Sequence, residues 1–232
     1  MTHALEVANV SVHYDGKEAV QDVSISVGTQ EIVTIIGHNG AGKSSLLKAL
    51  HGHVVSTGTI KFEGDDISTW SPEKRLKAGV ALVPQGHQVF GDLTVSENLL
   101  IAGLLVGNDK EDDLARIFSL FPILQERSQQ RAATLSGGQQ QMLAIGMGLI
   151  VEPKLLLIDE PSIGLAPSLV KLVMESIATA RYERGCAILL VEQNITQSFA
   201  IADRVYGMRR GSMVAEAPPA EFTDKYDLME IM

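Results

Sequence analysis

The run Gly37-His38-Asn39-Gly40-Ala41-Gly42-Lys43-Ser44 has the spacing G-x-x-x-x-G-K-[ST], which can hold a chain of phosphates. Its glycines let the backbone curl until successive N–H groups face phosphate oxygens. The positive end of a following helix adds to that attraction. Lys43 then reaches the β- and γ-phosphates, and Ser44 offers its hydroxyl to Mg²⁺. His38 and Asn39 read as spacing residues whose backbone matters more than their side chains. A second element is Leu155-Leu156-Leu157-Ile158-Asp159-Glu160, an apolar run that ends in two carboxylates. At the end of a strand, Asp159 can hold Mg²⁺ through water and Glu160 can orient and deprotonate an attacking water. A third is Leu135-Ser136-Gly137-Gly138-Gln139, a Ser and two glycines at a helix start. Taken alone it reads as an ordinary capped N-terminus. The same groups at a helix start could also form a second anion cradle.

These groups need a sheet to carry them. Glu31 to Ile36, Val80 to Val83, Leu155 to Ile158 and Ala187 to Val191 are continuously apolar, as strands covered on both faces are. Helix-like stretches separate them, which predicts a parallel sheet with flanking helices. Leu5 to His13 and Ala19 to Val27 alternate apolar and polar residues, and Asp15-Gly16 between them signals a hairpin. From about Gln85 to Leu149 the spacing is helical (Val95 to Val106, Asp113 to Phe121 and Gln139 to Ile150), which predicts an inserted helical sub-domain. Val205 to Met208 and Met213 to Ala217 predict a last hairpin through Arg210-Gly211. Pro218 to Met232 reads as a short helical tail, more as padding than as a docking element. Gly146 and Gly148 stand inside a predicted helix, where each costs about 1 kcal/mol relative to Ala. Close packing is the expected reason. Trp70 and Cys186 read as packing residues.

Composition narrows the function. The chain has 232 residues, 28 acidic against 19 basic side chains and a net charge of −9. That balance argues against a nucleic-acid partner, which needs a basic face. It also means that a triphosphate must be held by local design rather than by the overall field. The single cysteine allows no internal disulfide and suits a reducing compartment. No signal peptide and no run of the ~20 apolar residues that a membrane span needs stand out, so a soluble protein is expected, docked onto other subunits if it works at a membrane.

The three motifs together resemble the nucleotide-binding subunits of ABC transporters over essentially the whole chain. The resemblance implies an α/β P-loop NTPase (RecA-like) fold: a parallel core sheet, an N-terminal antiparallel β sub-domain and an inserted helical sub-domain. Residues 1–84 and 151–217 would form the ATP-binding core, 85–150 the helical part with the signature, and 218–232 the tail. It implies ATP and Mg²⁺ as ligands, with Gly37 to Ser45 around the phosphates. Two subunits would sandwich two ATPs head to tail, the loop of one facing the Leu135 to Gln139 segment of the other. Tyr14 would stack on adenine, where the alternative is an aromatic that covers the core. Gln85 would sense Mg²⁺ and the nucleophilic water, and Ser136, Gly137, Gly138 and Gln139 would touch the ATP of the second subunit. Gly86 to Gly103 would grip a membrane subunit.

Two positions depart from the usual pattern of that family. Gln193, in Val191-Glu192-Gln193-Asn194, stands where most members place a histidine against the γ-phosphate. A glutamine gives one neutral hydrogen bond and shuttles no proton, so hydrolysis would lean more on Glu160, unless Gln193 merely caps the next helix. Ala166 stands where many members carry an aspartate that communicates between the two sites. Gly164-Leu165-Ala166-Pro167 together with that run resembles the subgroup of branched-chain and hydrophobic amino-acid importers, and the smaller of its two ATP subunits. Importers of urea and short amides share these motifs. The expected partners are transmembrane permease subunits, a second ATP subunit and, indirectly, a periplasmic binding protein, at the cytoplasmic face of the membrane. An ABC protein of DNA repair or translation is disfavoured because neither a second cassette nor a long coiled-coil insertion is present, and a P-loop kinase because of the Leu135 to Gln139 run.

Overall fold

The Asp15-Gly16 signal forms a tight turn between β1 (His3–Tyr14) and β2 (Lys17–Gly28). Both turn residues have positive φ, 47° and 79°, the geometry that matches the twist of paired strands. The computed structural model describes residues 3–86, 88–107, 111–226 and 228–231. His87, Asn108 to Lys110 and Asp227, which fall within the expected docking surface, helical insertion and tail, lie outside the described residues, as do both chain ends.

Two sheets form. β2, β1, β4 (Thr57–Phe62) and β5 (Asp65–Asp66) make an antiparallel sheet in that order. β4 went unread in the sequence because only Ile60 and Phe62 alternate there, too short a pattern to stand out. The second sheet runs β10 (Ser212–Ala217), β9 (Arg204–Arg209), β3 (Ile32–Ile36), β8 (Ala187–Glu192), β7 (Leu155–Asp159), β6 (Val80–Val83). β6, β7, β8, β3 and β9 are all parallel, while β10 returns antiparallel at the edge. The last hairpin is therefore part of the core sheet, which is mixed rather than wholly parallel. Arg210 and Gly211 take φ of 48° and 88° at its turn.

Every residue of β3, β7 and β8 is buried. Leu155 and Leu157 face the antiparallel sheet and α1 (Lys43–His51), whereas Leu156 and Ile158 face the helices on the other side. Two covered faces explain the unbroken apolar runs. α2 (Pro72–Ala78) contributes the buried Arg75. Its guanidinium donates to the carbonyls of Ala49 at 2.8 Å and Leu50 at 2.7 Å, which satisfies the C-terminus of α1. The chain between β6 and β7 forms α3 (Val95–Leu104), α4 (Glu111–Leu120), α5 (Pro122–Glu126) and α6 (Gly137–Ile150). α7 (Pro167–Arg184) crosses back to β8, and α8 (Ile195–Phe199) leads to β9. In the tail, α9 (Pro219–Lys225) and α10 (Leu228–Ile231) lay Phe222 and Ile231 against Ile36, Val205, Ala215 and Ala217. The tail thus covers sheet surface.

The two glycines of α6 are explained by close approach. A Cβ on Gly146 would lie 3.0 Å from Ile117 and 3.2 Å from Leu99. One on Gly148 would lie 2.5 Å from Val83 and 3.2 Å from Leu156, so α6 lies hard against β6 and β7. Gly148→Ala is expected to destabilise the fold by about 1–2 kcal/mol, because overpacking at a β-branched neighbour outweighs the ~1 kcal/mol of helix propensity gained. Thermal unfolding checks this: a raised melting temperature would refute it.

Candidate functional site

The carboxyl ends of β3, β7 and β8 and the loop after β6 open at one end of the core sheet, and there the sequence-predicted residues converge. The phosphate loop leaves β3 at Gly37 and enters α1 at Lys43. Gly42 is the N-cap in the left-handed region, φ 108°. A side chain there would run into the Ala19 carbonyl and one on Gly37 into the Met208 carbonyl, whereas Gly40 has open space above it. The loop is therefore pressed from behind by β2 and β9 and free in front. Ala41 lies buried at its back, and its carbonyl accepts from Gly211 N–H at 2.8 Å.

Lys43 is 4% exposed. Its ammonium donates to the carbonyls of Gly37 at 2.7 Å and His38 at 3.1 Å and lies 3.3 Å from Glu160 Oε1. Asp159 ends β7, and Ser44 Oγ–H donates to its Oδ1 at 3.0 Å. Glu160 follows with φ 46°, an uncommon backbone for a residue with a long side chain. Its N–H donates to the Val191 carbonyl at 2.9 Å, which fixes the turn. Backbone strain of this kind gathers at functional sites. Each Glu160 oxygen then takes a carboxamide: Gln85 Nε2 donates to Oε2 at 2.9 Å and Gln193 Nε2 to Oε1 at 2.8 Å. Gln193 also donates to Asn39 Oδ1. The next helix is capped by Asn194 instead, whose side chain accepts from Gln197 N–H, so Gln193 is free of that role.

The cleft in front of the loop measures about 250 Å³ and is lined by Ala19, Asn39, Gly40, Gly42, Lys43, Ser44, Ser45, Gln85 and Glu160. That room suits a triphosphate better than a whole nucleotide. A larger cleft of about 610 Å³ lies at the opposite end of β3 and β9, but its arginines are already engaged, Arg181 with Asp203 and Arg204 with Glu31. Tyr14 ends β1, 41% exposed and outside the cleft lining. Ser136 to Gln139 lie away from this cleft as well. Ser136 caps α6 in a reciprocal box with Gln139, its Oγ accepting from Gln139 N–H while Gln139 Oε1 accepts from Ser136 N–H at 3.0 Å. Gly138 packs against Leu169 of α7. Ala166 occupies the N-cap position of α7 with no side-chain bond.

The donor set fits Mg²⁺. Ser44 and Asp159 present hard oxygens side by side, and the Gln85 amide oxygen is left over when its NH₂ holds Glu160. One carboxylate is enough where phosphates supply further ligands. Among the described residues, no group of three His, Cys, Asp or Glu could form a protein-only metal centre.

Burial raises the Asp159 pKa above its ordinary value, aided by the neighbouring Glu160 charge and opposed by the Ser44 hydrogen bond. Here the folded state binds its proton more tightly than the unfolded chain. Stability therefore falls as pH rises from the ordinary carboxylate range through the raised value, and the cost is present in full above it. Asp159→Asn keeps an oxygen for Ser44 and removes the buried charge. Its melting temperature at pH 7 is expected to exceed that of the unaltered protein, by about 2–4 °C per kcal/mol relieved, with the gain vanishing toward acid pH. A pH series of melting curves without nucleotide tests this, and an unchanged or lower value at pH 7 would refute it.

Two side-chain roles were not legible in the sequence. Asn39 was read as a spacer, yet its side chain holds Gln193. Glu192 lies one residue beyond the Ala187 to Val191 run expected as a strand and was given no role; the structure extends that strand to it, and a lone carboxylate closing a wholly buried apolar run was the available signal.

A family model described as "ABC transporter" matches residues 20–163. The chain is 45% identical over 214 residues to the high-affinity branched-chain amino acid transport ATP-binding protein BraG of Pseudomonas aeruginosa, covering 90% of this chain and 91% of that one. It is 36% identical over 206 residues to the probable branched-chain amino acid transport ATP-binding protein LivF of Archaeoglobus fulgidus, covering 87% and 86%. The solved structure of the ADP conformation of MJ1267, an ATP-binding cassette of an ABC transporter, superposes with a TM-score of 0.87 at 26% identity, covering 100% of this chain and 98% of that one.

Proposed function

The chain belongs to the family of ABC transporter ATP-binding proteins, and from that premise we propose that it hydrolyses ATP to power the uptake of branched-chain or other hydrophobic amino acids through transmembrane partner subunits. The observation that carries the reading is a likeness to BraG that spans nine tenths of both chains, joined to a cleft whose lysine, hydroxyl and carboxylates suit a nucleoside triphosphate.

The backbone N–H groups of Gly40 to Ser44 and the Lys43 ammonium would bind the phosphates, and Ser45 would add a further contact. Ser44, Asp159 and Gln85 would hold Mg²⁺, which supplies charge neutralisation on the phosphate oxygens. Glu160 would take the proton of the attacking water. Its carboxylate is pre-oriented by Gln85 and Gln193. Gln193 would swing one neutral N–H bond toward the γ-phosphate, a contribution of about 0.5–1.5 kcal/mol. Tyr14, exposed at the end of β1, would stack on the adenine.

Ser136 to Gln139 sit outside the cleft of their own chain. They would complete the site of a second ATP subunit, identical or different, in a head-to-tail pair. The membrane subunits would dock on the surface of about Gly86 to Gly103, where Phe90 is exposed and Gln88 and Ala102 join Leu82, Leu105, Met147 and Val151 in lining a groove. Among the described residues no helix is long and apolar enough to cross a membrane, in keeping with a peripheral place on the cytoplasmic face.

The test is reconstitution of the chain with its membrane partners and a substrate-binding protein in proteoliposomes. Leucine, isoleucine or valine is expected to stimulate ATP hydrolysis and to enter the vesicles. Stimulation by urea or a short amide alone would reassign the cargo, and no coupling to any solute would overturn the transport reading.

A further inference from the structure

β8 ends in a carboxylate that the reaction above does not use. Glu192 closes an otherwise apolar strand and is 1% exposed. It accepts four hydrogen bonds: Oε1 from Ser162 N–H at 2.8 Å, and Oε2 from Ser162 Oγ–H at 2.8 Å, Gln193 N–H at 2.9 Å and Asn194 N–H at 3.1 Å. All of these donors are neutral. Burial holds its pKa above the ordinary carboxylate value although the bonds pull the other way. A buried carboxylate is costly, and an aliphatic side chain would close this strand without that cost. What the carboxylate adds is direction, because its two oxygens reach two separate loops.

One loop is the turn that leaves Glu160 and runs through Ser162 and Ala166 into α7. The other carries Gln193, whose side chain touches both Glu160 and Asn39. We propose that Glu192 is a positioning residue, a clasp that makes the 160–166 loop and the Gln193 loop move as one body, so that a shift of Gln193 at the phosphate is passed to the loop leading to α7. This rests on the ATPase reading above. It gives the chain a route of communication that needs no carboxylate at position 166.

Glu192→Gln preserves the volume but turns one acceptor into a donor that faces N–H groups. With the full-length protein, kcat for ATP is expected to fall about 10–100-fold while KM for ATP stays within about twofold. Amide hydrogen exchange without nucleotide is expected to speed up together in segments 160–166 and 192–195 and to stay unchanged in 37–44. Ser162→Ala added to Glu192→Gln is expected to cost little more than Glu192→Gln alone, as members of one link do. Three results would overturn the clasp: undiminished kcat, loss of ATP affinity with faster exchange throughout the chain, or additive effects of the two substitutions. If the unaltered protein hydrolyses no ATP, the ATPase reading fails by itself, and the exchange measurement still decides the clasp.

Discussion

Replacing Glu160 by glutamine is expected to lower ATP turnover by about 10²–10⁴-fold, the range that a positioned general base contributes, while ATP-dependent pairing of two cassettes persists. The amide has nearly the shape of the carboxylate but cannot take a proton from water. Its two ends also differ, so either Gln85 or Gln193 must turn its carboxamide over to keep both bonds to position 160. A flip of that kind restores the pairing, and the cleft should survive with its phosphate contacts intact. Rapid-mixing phosphate release together with size-exclusion chromatography in ATP separates the two effects. Turnover at the original rate would remove Glu160 from the role of base. Loss of pairing as well would mean that the carboxylate shapes the site instead of reacting in it.

The second large effect is expected at Lys43. Charge-assisted hydrogen bonds contribute about 1.5–3 kcal/mol, so Lys43→Ala should weaken ATP binding by about 10–100-fold. The ammonium also sits 3.3 Å from Glu160 and on two loop carbonyls, with both charged side chains nearly closed to water. Removing it leaves a carboxylate without its cation and takes a donor from the Gly37 carbonyl, while the His38 carbonyl keeps the Ala41 N–H at 3.0 Å. The melting temperature should therefore fall even with no nucleotide added. Equilibrium titration with ATP and a melting curve read the two losses independently, and undiminished ATP affinity would take Lys43 out of the site.

Much of this site was legible in the sequence because its chemistry is local. Gly37 to Ser44 forms one loop, and Asp159-Glu160 ends one strand, so spacing alone placed the cradle and the carboxylates. Full burial made β3, β7 and β8 easy to read, since a strand covered on both faces needs an unbroken apolar run. The rest depends on contacts that no short window contains. Asn39 meets Gln193 across the cleft, and Glu192 meets Ser162 across two loops. β4 offers too few apolar positions to signal itself, and β9 joins the parallel set only through its pairing with β3. The tail reads as polar and short, yet Phe222 finds a fully buried seat on the sheet.

The phosphate loop is pressed into shape from behind by Ala19 on β2 and Met208 on β9, and Gly211 ties Gln21 to Ala41 by two hydrogen bonds of 2.8 Å each. Ala19 is made before the loop and Met208 long after it. A ribosome exposes the loop well before the hairpin that moulds it. Nascent or truncated chains that stop short of Gly211 should therefore carry the full glycine–lysine motif and yet hold no triphosphate, which keeps unfinished subunits out of the nucleotide pool until they can work.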